Sequence, residues 1–330
     1  MIVKTPKIKK RYKFLYFLLV FVLTLTSTFG IIVNVGEQRL KNNLIVGSDD
    51  ASPEYDNDDA DIYVDGKSLY YNKDLINILF MGIDKANTAG TGQGQADALF
   101  LASLDTAGKL INIFVISRNA VTEIDLFNAS GEKFATEKKQ ICLAYAYGTN
   151  DKQSAENCVN SVSKLFYGIP INAYYALRMN FISQITDAVG GVDVTLAEDV
   201  IKEFPNNRVG DRLTLLGDNV LPYLRARGES NGPRSARHKT FIQSFIKSAK
   251  SALIKDISLP VKVYDSLSKN ANSSINPSSI TYLATKCLNA DFKIHNVEGE
   301  YGFDGKYETF DVDEEKLYDL VIKSFYTEKQ

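Results

Sequence analysis

Strands alternating with amphipathic helices over residues 75–257 predict a layered α/β domain, a central mixed sheet flanked by helices. Three observations carry this. Short, near-continuous apolar runs bounded by Gly, Asn or Asp read as strands buried on both faces. Apolar residues recur at helical spacing between and after those runs. With 330 residues, 45% of them hydrophobic and 24% charged, the chain has enough apolar surface for a sizeable core in one or two domains.

Three segments precede that domain. Residues 1–13 are a basic tail with Lys4, Lys7, Lys9, Lys10, Arg11 and Lys13 and no acid. Phe14–Val35 then runs for 22 residues without a charge, enough helix to cross a bilayer's hydrocarbon core at about 1.5 Å per residue. Its basic flank should stay cytoplasmic and leave the rest of the chain outside the cell. A cleaved signal peptide is the rival reading. Its apolar region is usually shorter and no A-x-A-like site follows here, so an uncleaved single-pass anchor is expected. Residues 36–74 are expected to be a flexible stalk, because seven acids and no base lie between Asp49 and Asp61.

Ordered structure is expected from Leu75. INILFMG (Ile76–Gly82), ADALFLASLD (Ala96–Asp105) and LINIFVISR (Leu110–Arg118) are the first strands. The intervening GTGQGQ lacks the GK[ST] ending of a phosphate-binding loop, so it reads as a mobile loop. Asn157–Phe166 and Phe181–Val189 carry apolar residues at helical spacing, and Ile171–Leu177 between them reads as a strand. Gly190 and Gly191 end the second helix and turn into the strand VDVTL. After a polar excursion, Ala197–Asp218, a helix is expected over about Arg237–Lys255. Residues 258–330 read as a small C-terminal α/β extension, with helices at Ile280–Leu288 and Glu314–Phe325 and short strands near Lys293–Val297.

The stretch Leu221–Ile242, LPYLRARGESNGPRSARHKTFI, stands out chemically. The chain has 10 arginines against 28 lysines, yet Arg225, Arg227, Arg234 and Arg237 fall within 13 residues. Arginine suits places where a planar, bidentate donor grips a carboxylate or phosphate. Two readings fit: a set of surface ion pairs, or a site for a strongly anionic group such as a pyrophosphate. Net charge is −2, and the six bases of residues 1–13 leave −8 on the remainder. Such an acidic body argues against a nucleic-acid partner.

Cys142, Cys158 and Cys287 are the only cysteines and have no CxxC spacing, so a zinc site is not expected. Outside the membrane, Cys142 and Cys158 are expected to pair, with Cys287 left over; three buried free thiols are the alternative. With only His238 and His295, no His-rich metal site is available.

Taken together, NILFMGID (Asn77–Asp84), ADALFLASLD, INIFVISRN (Ile111–Asn119), AYAYG (Ala144–Gly148), GIPINAYYAL (Gly168–Leu177), DAVGGVDV (Asp187–Val194) and YLRAR…RSARH (Tyr223–His238) resemble the LytR–CpsA–Psr family. They follow that family's order over roughly residues 75–255. The resemblance implies a membrane-anchored, extracytoplasmic phosphotransferase. It would move an anionic glycopolymer, of teichoic acid or capsular polysaccharide type, from a polyprenyl-pyrophosphate carrier to peptidoglycan.

By position, Asp84 and Asp97 match the family's magnesium-associated acids, which implies Mg2+ as cofactor. Arg118 matches the arginine of I-P-R-D-T. Arg225 and Arg227 match the paired R-x-R, and Arg234 and Arg237 match R-x-x-R. The resemblance thus implies catalysis by Arg118, Arg225, Arg227 and Asp97, with Arg234, Arg237 and His238 also on the pyrophosphate. It further implies an apolar tunnel for the lipid, with helices 157–166 and 181–189 as candidate walls. Departures are visible: Ala96-Asp97-Ala98 replaces S-D-T, Asn119 replaces the aspartate after the strand-ending arginine, and His238 replaces the glutamine of R-x-x-R-Q. They keep two alternatives in view: a non-catalytic binder of the polyprenyl pyrophosphate, or a hydrolase that releases the lipid. A transcriptional regulator fits poorly, because only about 13 residues would be cytoplasmic.

Overall fold

The computed structural model describes residues 10–45, 60–64, 66–85, 93–226 and 232–328; side chains are described from residue 23 of the first helix, except 25, and from 236 of the helix that begins at 232. The chain opens with α1 (Lys10–Asn42), β1 (Ile62–Val64), β2 (Lys67–Tyr71), β3 (Leu75–Asp84), β4 (Gln95–Asp105) and β5 (Leu110–Ile116). A hairpin of β6 (Val121–Phe127) and β7 (Lys133–Gln140) leads to α2 (Leu143–Ala146), α3 (Asp151–Leu165), β8 (Ala173–Arg178) and α4 (Ile182–Ala188). Then come β9 (Val192–Thr195), β10 (Arg212–Leu215), α5 (Val220–Arg225), α6 (Gly232–Lys255) and α7 (Leu259–Leu267). The last elements are β11 (Ala271–Ser273), α8 (Pro277–Asn289), β12 (Asp291–Asn296), β13 (Gly299–Phe303), β14 (Glu308–Val312), α9 (Glu314–Phe325) and β15 (Tyr326–Glu328).

Local signals explain where the helices start. Asn150, Asn276 and Asp313 each accept a backbone N–H three residues on, which caps α3, α8 and α9. Pro277 sits at the first turn of α8, where a missing N–H costs nothing. Gly191, at φ +94°, makes the turn into β9; a Cβ there would lie 2.5 Å from Thr214 Cγ2.

The central sheet has six strands in the order β11-β8-β3-β4-β5-β12 and is mixed, with β3–β8 and β5–β12 parallel and the other pairs antiparallel. Alternation along the strands supplies two faces. Leu79, Met81, Leu99, Leu101, Phe114 and Ile116 pack under α2, α3 and α9 against Val159, Val162, Phe166 and Phe325. Ile76, Ile78, Leu104 and Ile111 point the other way, to Tyr282 of α8 and Leu40 of α1. Asn157 locks α3 down, donating to the backbone oxygens of Asp125 (3.0 Å) and Ala144 (2.7 Å).

Three expectations change. Residues 258–330 do not stand apart as an extension: β11 and β12 form both edges of the central sheet, and Leu317, Val321 and Phe325 of α9 lie in its main core. Their apolar faces are too small to bury alone and are completed by the sheet. The segment 36–74 is not a stalk throughout. Residues 46–59, with most of the acidic run, lie outside the described set. Leu40 however is 2% exposed, Ile45 N–H donates to Ile171 O at 3.1 Å, and β2 pairs with β1 and β15. Finally, Cys142 and Cys158 are both buried free thiols rather than a disulfide, and Cys287 is a partly buried third. The closed core around Cys158 pushes its thiol well above the ordinary range.

Among the described residues no helix is long and apolar enough to cross a membrane. The side chains of residues 10–22 lie outside that set, while exposed Leu23, Phe29, Ile31, Ile32 and Val35 lie within it.

Candidate active site

Antiparallel β4 and β5 pair Leu99 with Ile116, so two residues further along the ladder Asp97 faces Arg118 just past the end of β5. Arg118 Nη1 lies 2.7 Å from Asp97 Oδ2, with the two side chains 17% and 6% exposed. Nη2 donates to Gln95 Oε1 at 2.7 Å and to Cys142 Sγ at 3.5 Å. Burial works against the Arg118 charge; the carboxylates of Asp97 and Asp84, with the hydrogen bond to the Cys142 sulfur, outweigh it and raise its pKa. Burial also pushes the Cys142 thiol up, against the pull of Arg118, which keeps it a neutral partner. The guanidinium is thereby fixed on three sides and charged.

Asp84 ends β3 beside them, 8% exposed, with Oδ2 2.9 Å from Arg225 Nη2 at the end of α5. Its contribution to the field on Arg118 ties the two ion pairs into one cluster. The expected acids and two of the expected arginines therefore converge at one end of the sheet.

The remaining arginines divide. Arg237 is buried, ion-paired with Asp199, hydrogen-bonded to Ala226 O and stacked 5.9 Å over Tyr223. Burial lowers its pKa and Asp199 opposes that. Its side chain is 3% exposed, so it anchors the chain at Ala226, at the end of α5. Arg227 and the side chain of Arg234 lie outside the described residues. His238 lines the same cleft as Arg118, with Nε2 3.2 Å from Leu224 O and its ring against Phe100.

That cleft is open to solvent and spans about 370 Å³ between Asp97, Phe100, Arg118, Asn119, His238 and Tyr301. The C-terminal hairpin builds one wall. Asn119 Nδ2 donates to Glu308 Oε2 at 3.1 Å, and Phe310 N–H donates to Asn119 O at 2.9 Å. Sequence reasoning missed Gln95, Cys142, Tyr301 and Glu308 as site residues. No local signal marks the last two, which approach from 180 residues away or more. Gln95 closes the glycine-rich GTGQGQ, the one local signal that pointed near it.

Beside the cleft, the sheet face opposite α3 is incompletely covered. Phe80, in a central strand, is 36% exposed, and Gly82, Ala98, Phe100, Ala102 and Tyr175 on the same face are only half-buried. Of the helices expected to wall an apolar tunnel, α3 is excluded: Val159, Val162 and Phe166 are 0% exposed and pack against the other face. The open trough lies instead toward α6 and α7, where Tyr175 meets Tyr264 at 6.3 Å and Phe100 meets His238.

Among the described residues no group of three or more His, Cys, Asp or Glu forms a metal cage. Asp84 and Asp97 offer two carboxylates, each already on an arginine. That donor set fits a cation taking most of its ligands from phosphate and water.

Comparison with known proteins agrees with this architecture. The LytR_cpsA_psr family model matches residues 43–323. The chain is 29% identical over 203 residues to the polyisoprenyl-teichoic acid–peptidoglycan teichoic acid transferase TagU of Bacillus cereus, covering 61% of this chain and 60% of that relative. It thus spans about 60% of that relative's length. Protein gbs0355 of Streptococcus agalactiae has the same fold, with a TM-score of 0.61 at 19% identity over 76% of this chain and 87% of that one. So does TagV of B. subtilis, with a TM-score of 0.59 at 23% identity over 77% and 98%.

Proposed function

Because this chain belongs to the LytR–CpsA–Psr family, we propose that it is an extracytoplasmic phosphotransferase moving an anionic glycopolymer from a polyprenyl-pyrophosphate carrier to peptidoglycan. The observation that carries the reading is the cluster of Arg118, Asp97, Asp84 and Arg225 at one sheet end, opening beside a half-covered apolar trough. The activity named for the B. cereus relative supports it. The anchor belongs to the same proposal: helix α1 contains the uncharged run Phe14–Val35, preceded by six bases, and Leu23, Phe29, Ile31, Ile32 and Val35 of that run are exposed.

In this reaction an acceptor sugar hydroxyl attacks the phosphorus nearest the glycan. A new phosphodiester forms, the P–O bond to the lipid-side phosphate breaks, and polyprenyl phosphate leaves with the electron pair. Arg118 and Arg225 meet the charge that develops on the phosphoryl oxygens, and their fixed positions make that stabilisation available without reorganisation. Magnesium, when bound to Asp84 and Asp97, supplies further charge neutralisation. Asp84 or Asp97 takes the hydroxyl proton, since Asn119 has no carboxylate to offer and holds Glu308 instead. The lipid's first isoprene units lie over Phe80, Phe100 and Tyr175.

The test uses the full chain in detergent, because Gly36–Ile45 and β2 are part of the packed body. A synthetic polyprenyl-pyrophosphate glycan and a peptidoglycan oligomer are incubated with it, with and without magnesium. Linked product that disappears in Arg118→Ala is expected. Released glycan without linkage would replace the transferase by a hydrolase, and bound, unchanged donor would replace it by a carrier.

A further inference from the structure

We infer that a second anion subsite, outside the Arg118–Arg225 cluster, takes a phosphodiester of the donor's polymer. The proposal rests on the polyprenyl-pyrophosphate reading above. A cleft of about 280 Å³ lies at the same end of the sheet, lined by Lys85, Arg178, Lys269, Asp151, Tyr145 and Asn272 among others. Three cations and one carboxylate face it. Lys85 Nζ is 3.4 Å from Asp151 Oδ1, which uses up that acid. Arg178 and Lys269 are exposed, and neither has a carboxylate partner among the described residues. In a body of net −8, a cleft with three cations against one carboxylate is a local exception.

Placement gives the cleft its meaning. Arg178 pairs with Ile83 on β3, Ile83 with Ala96 on β4, and Asp97, the next residue, faces Arg118 past the end of β5. Three strand spacings separate the two arginines, about 14 Å. Arg225 sits between them, on Asp84. The single-turn helix α2 spans the same interval: Cys142 at its start touches Arg118, and Tyr145 lines the cleft. Polar neutral groups finish the floor. Asn272 Nδ2 donates to Asp151 O, and the Arg178 backbone N–H donates to Asn270 O at 3.3 Å. Cations thus run from Arg118 through Arg225 to Arg178 and Lys269. A substrate with one pyrophosphate would use only the first two. A chain that carries further phosphates beyond its first sugars reaches the third position, where Arg178 offers a planar fork and Lys269 a point charge.

Arg178→Ala/Lys269→Ala lies outside the pyrophosphate cluster and tests this directly. Calorimetric titration compares two donors: a polyprenyl-pyrophosphate disaccharide, and the same compound extended by one glycerol phosphate. Wild type should bind the extended donor about tenfold more tightly, the effect of one or two charge-assisted hydrogen bonds. The double variant should lose that preference and bind the short donor as wild type does. An unchanged preference in the double variant overturns the inference. So does a variant that keeps the preference but loses affinity for a peptidoglycan fragment, because the cleft would then hold an acceptor carboxylate. The parent reading fails separately, as no binding of the short donor by wild type. In that event glycerol phosphate alone must still bind wild type and not the variant, and a wild type that binds neither overturns both.

Discussion

Asp97 holds Arg118 across two neighbouring strands, Oδ2 to Nη1 at 2.7 Å, in a position that a substrate phosphate would share. Removing the carboxylate as Asp97→Ala leaves a largely buried guanidinium with only Gln95 and Cys142 as neutral partners. Stability should fall by about 2 kcal/mol. Millimolar inorganic pyrophosphate should then raise the variant's melting temperature more than the wild type's, because the anion replaces the lost charge. Equal shifts in calorimetry would show that the anion does not reach Arg118.

Arg237→Ala should behave unlike Arg118→Ala. Arg237 is an internal tie between Asp199 and Ala226 O, and its loss strands a nearly buried carboxylate. A destabilisation of about 3–5 kcal/mol is expected in urea unfolding. Arg118→Ala instead should retain the fold and lower transfer by about 10²–10³-fold. A stable Arg237→Ala chain with selectively lost donor binding would return that arginine to the pyrophosphate.

Restoring an aspartate at position 119 should be harmful here. Asn119 Nδ2 donates to Glu308 Oε2 at 3.1 Å, and Asn119→Asp turns that hydrogen bond into two facing carboxylates. The double change Asn119→Asp/Glu308→Gln should recover most of the loss, with a coupling of about 1–2 kcal/mol in a double-mutant cycle. Additive effects would mean that the contact does not form in solution.

Acid should weaken the fold partly through His295. The ring stacks on Phe114 at 5.2 Å, and Nε2 is 3.0 Å from Asn112 Oδ1. Burial lowers its pKa below the ordinary 6.5, with Lys293 and Lys239 adding to the effect. The unfolded chain therefore takes up the proton first. Stability is full above pH 6.5 and falls as pH drops from there through the folded value. Unfolding curves between about pH 7.5 and pH 5 should be less pH-dependent in His295→Gln, and parallel curves for the two proteins would count against this.

How much of this was written locally is clear from particular elements. β3, β4 and β5 are apolar on both faces because one face meets the main core and the other meets the α1–α8 cluster and the half-covered trough, so their runs show in any reading. The strand Lys133–Gln140, KFATEKKQ, is mostly exposed and charged, and only its pairing with β6 makes it a strand. The acids and arginines of the site were legible as residue types. Their division of labour was not: Arg237 differs from Arg225 through Asp199, 38 residues away in sequence. Likewise β12 reads as a short strand of some appended unit until its parallel register with β5 is seen.

The junction between α1 and the body bears on mechanics. At Gly36 the helix lies so close to α8 that a Cβ would sit 2.2 Å from Ser278 O, and Ser279 Oγ donates to Gly36 O at 3.4 Å. The helix runs on through this contact to Asn42 without a break. With Phe14–Val35 in the bilayer, as proposed, this makes α1 a mast rather than a leash. Height and tilt above the lipid surface are set by the helix, and the donor mouth keeps a constant bearing toward the leaflet that delivers the carrier. Reach into the wall then comes from the polymer and the acceptor strand, not from the swing of the enzyme.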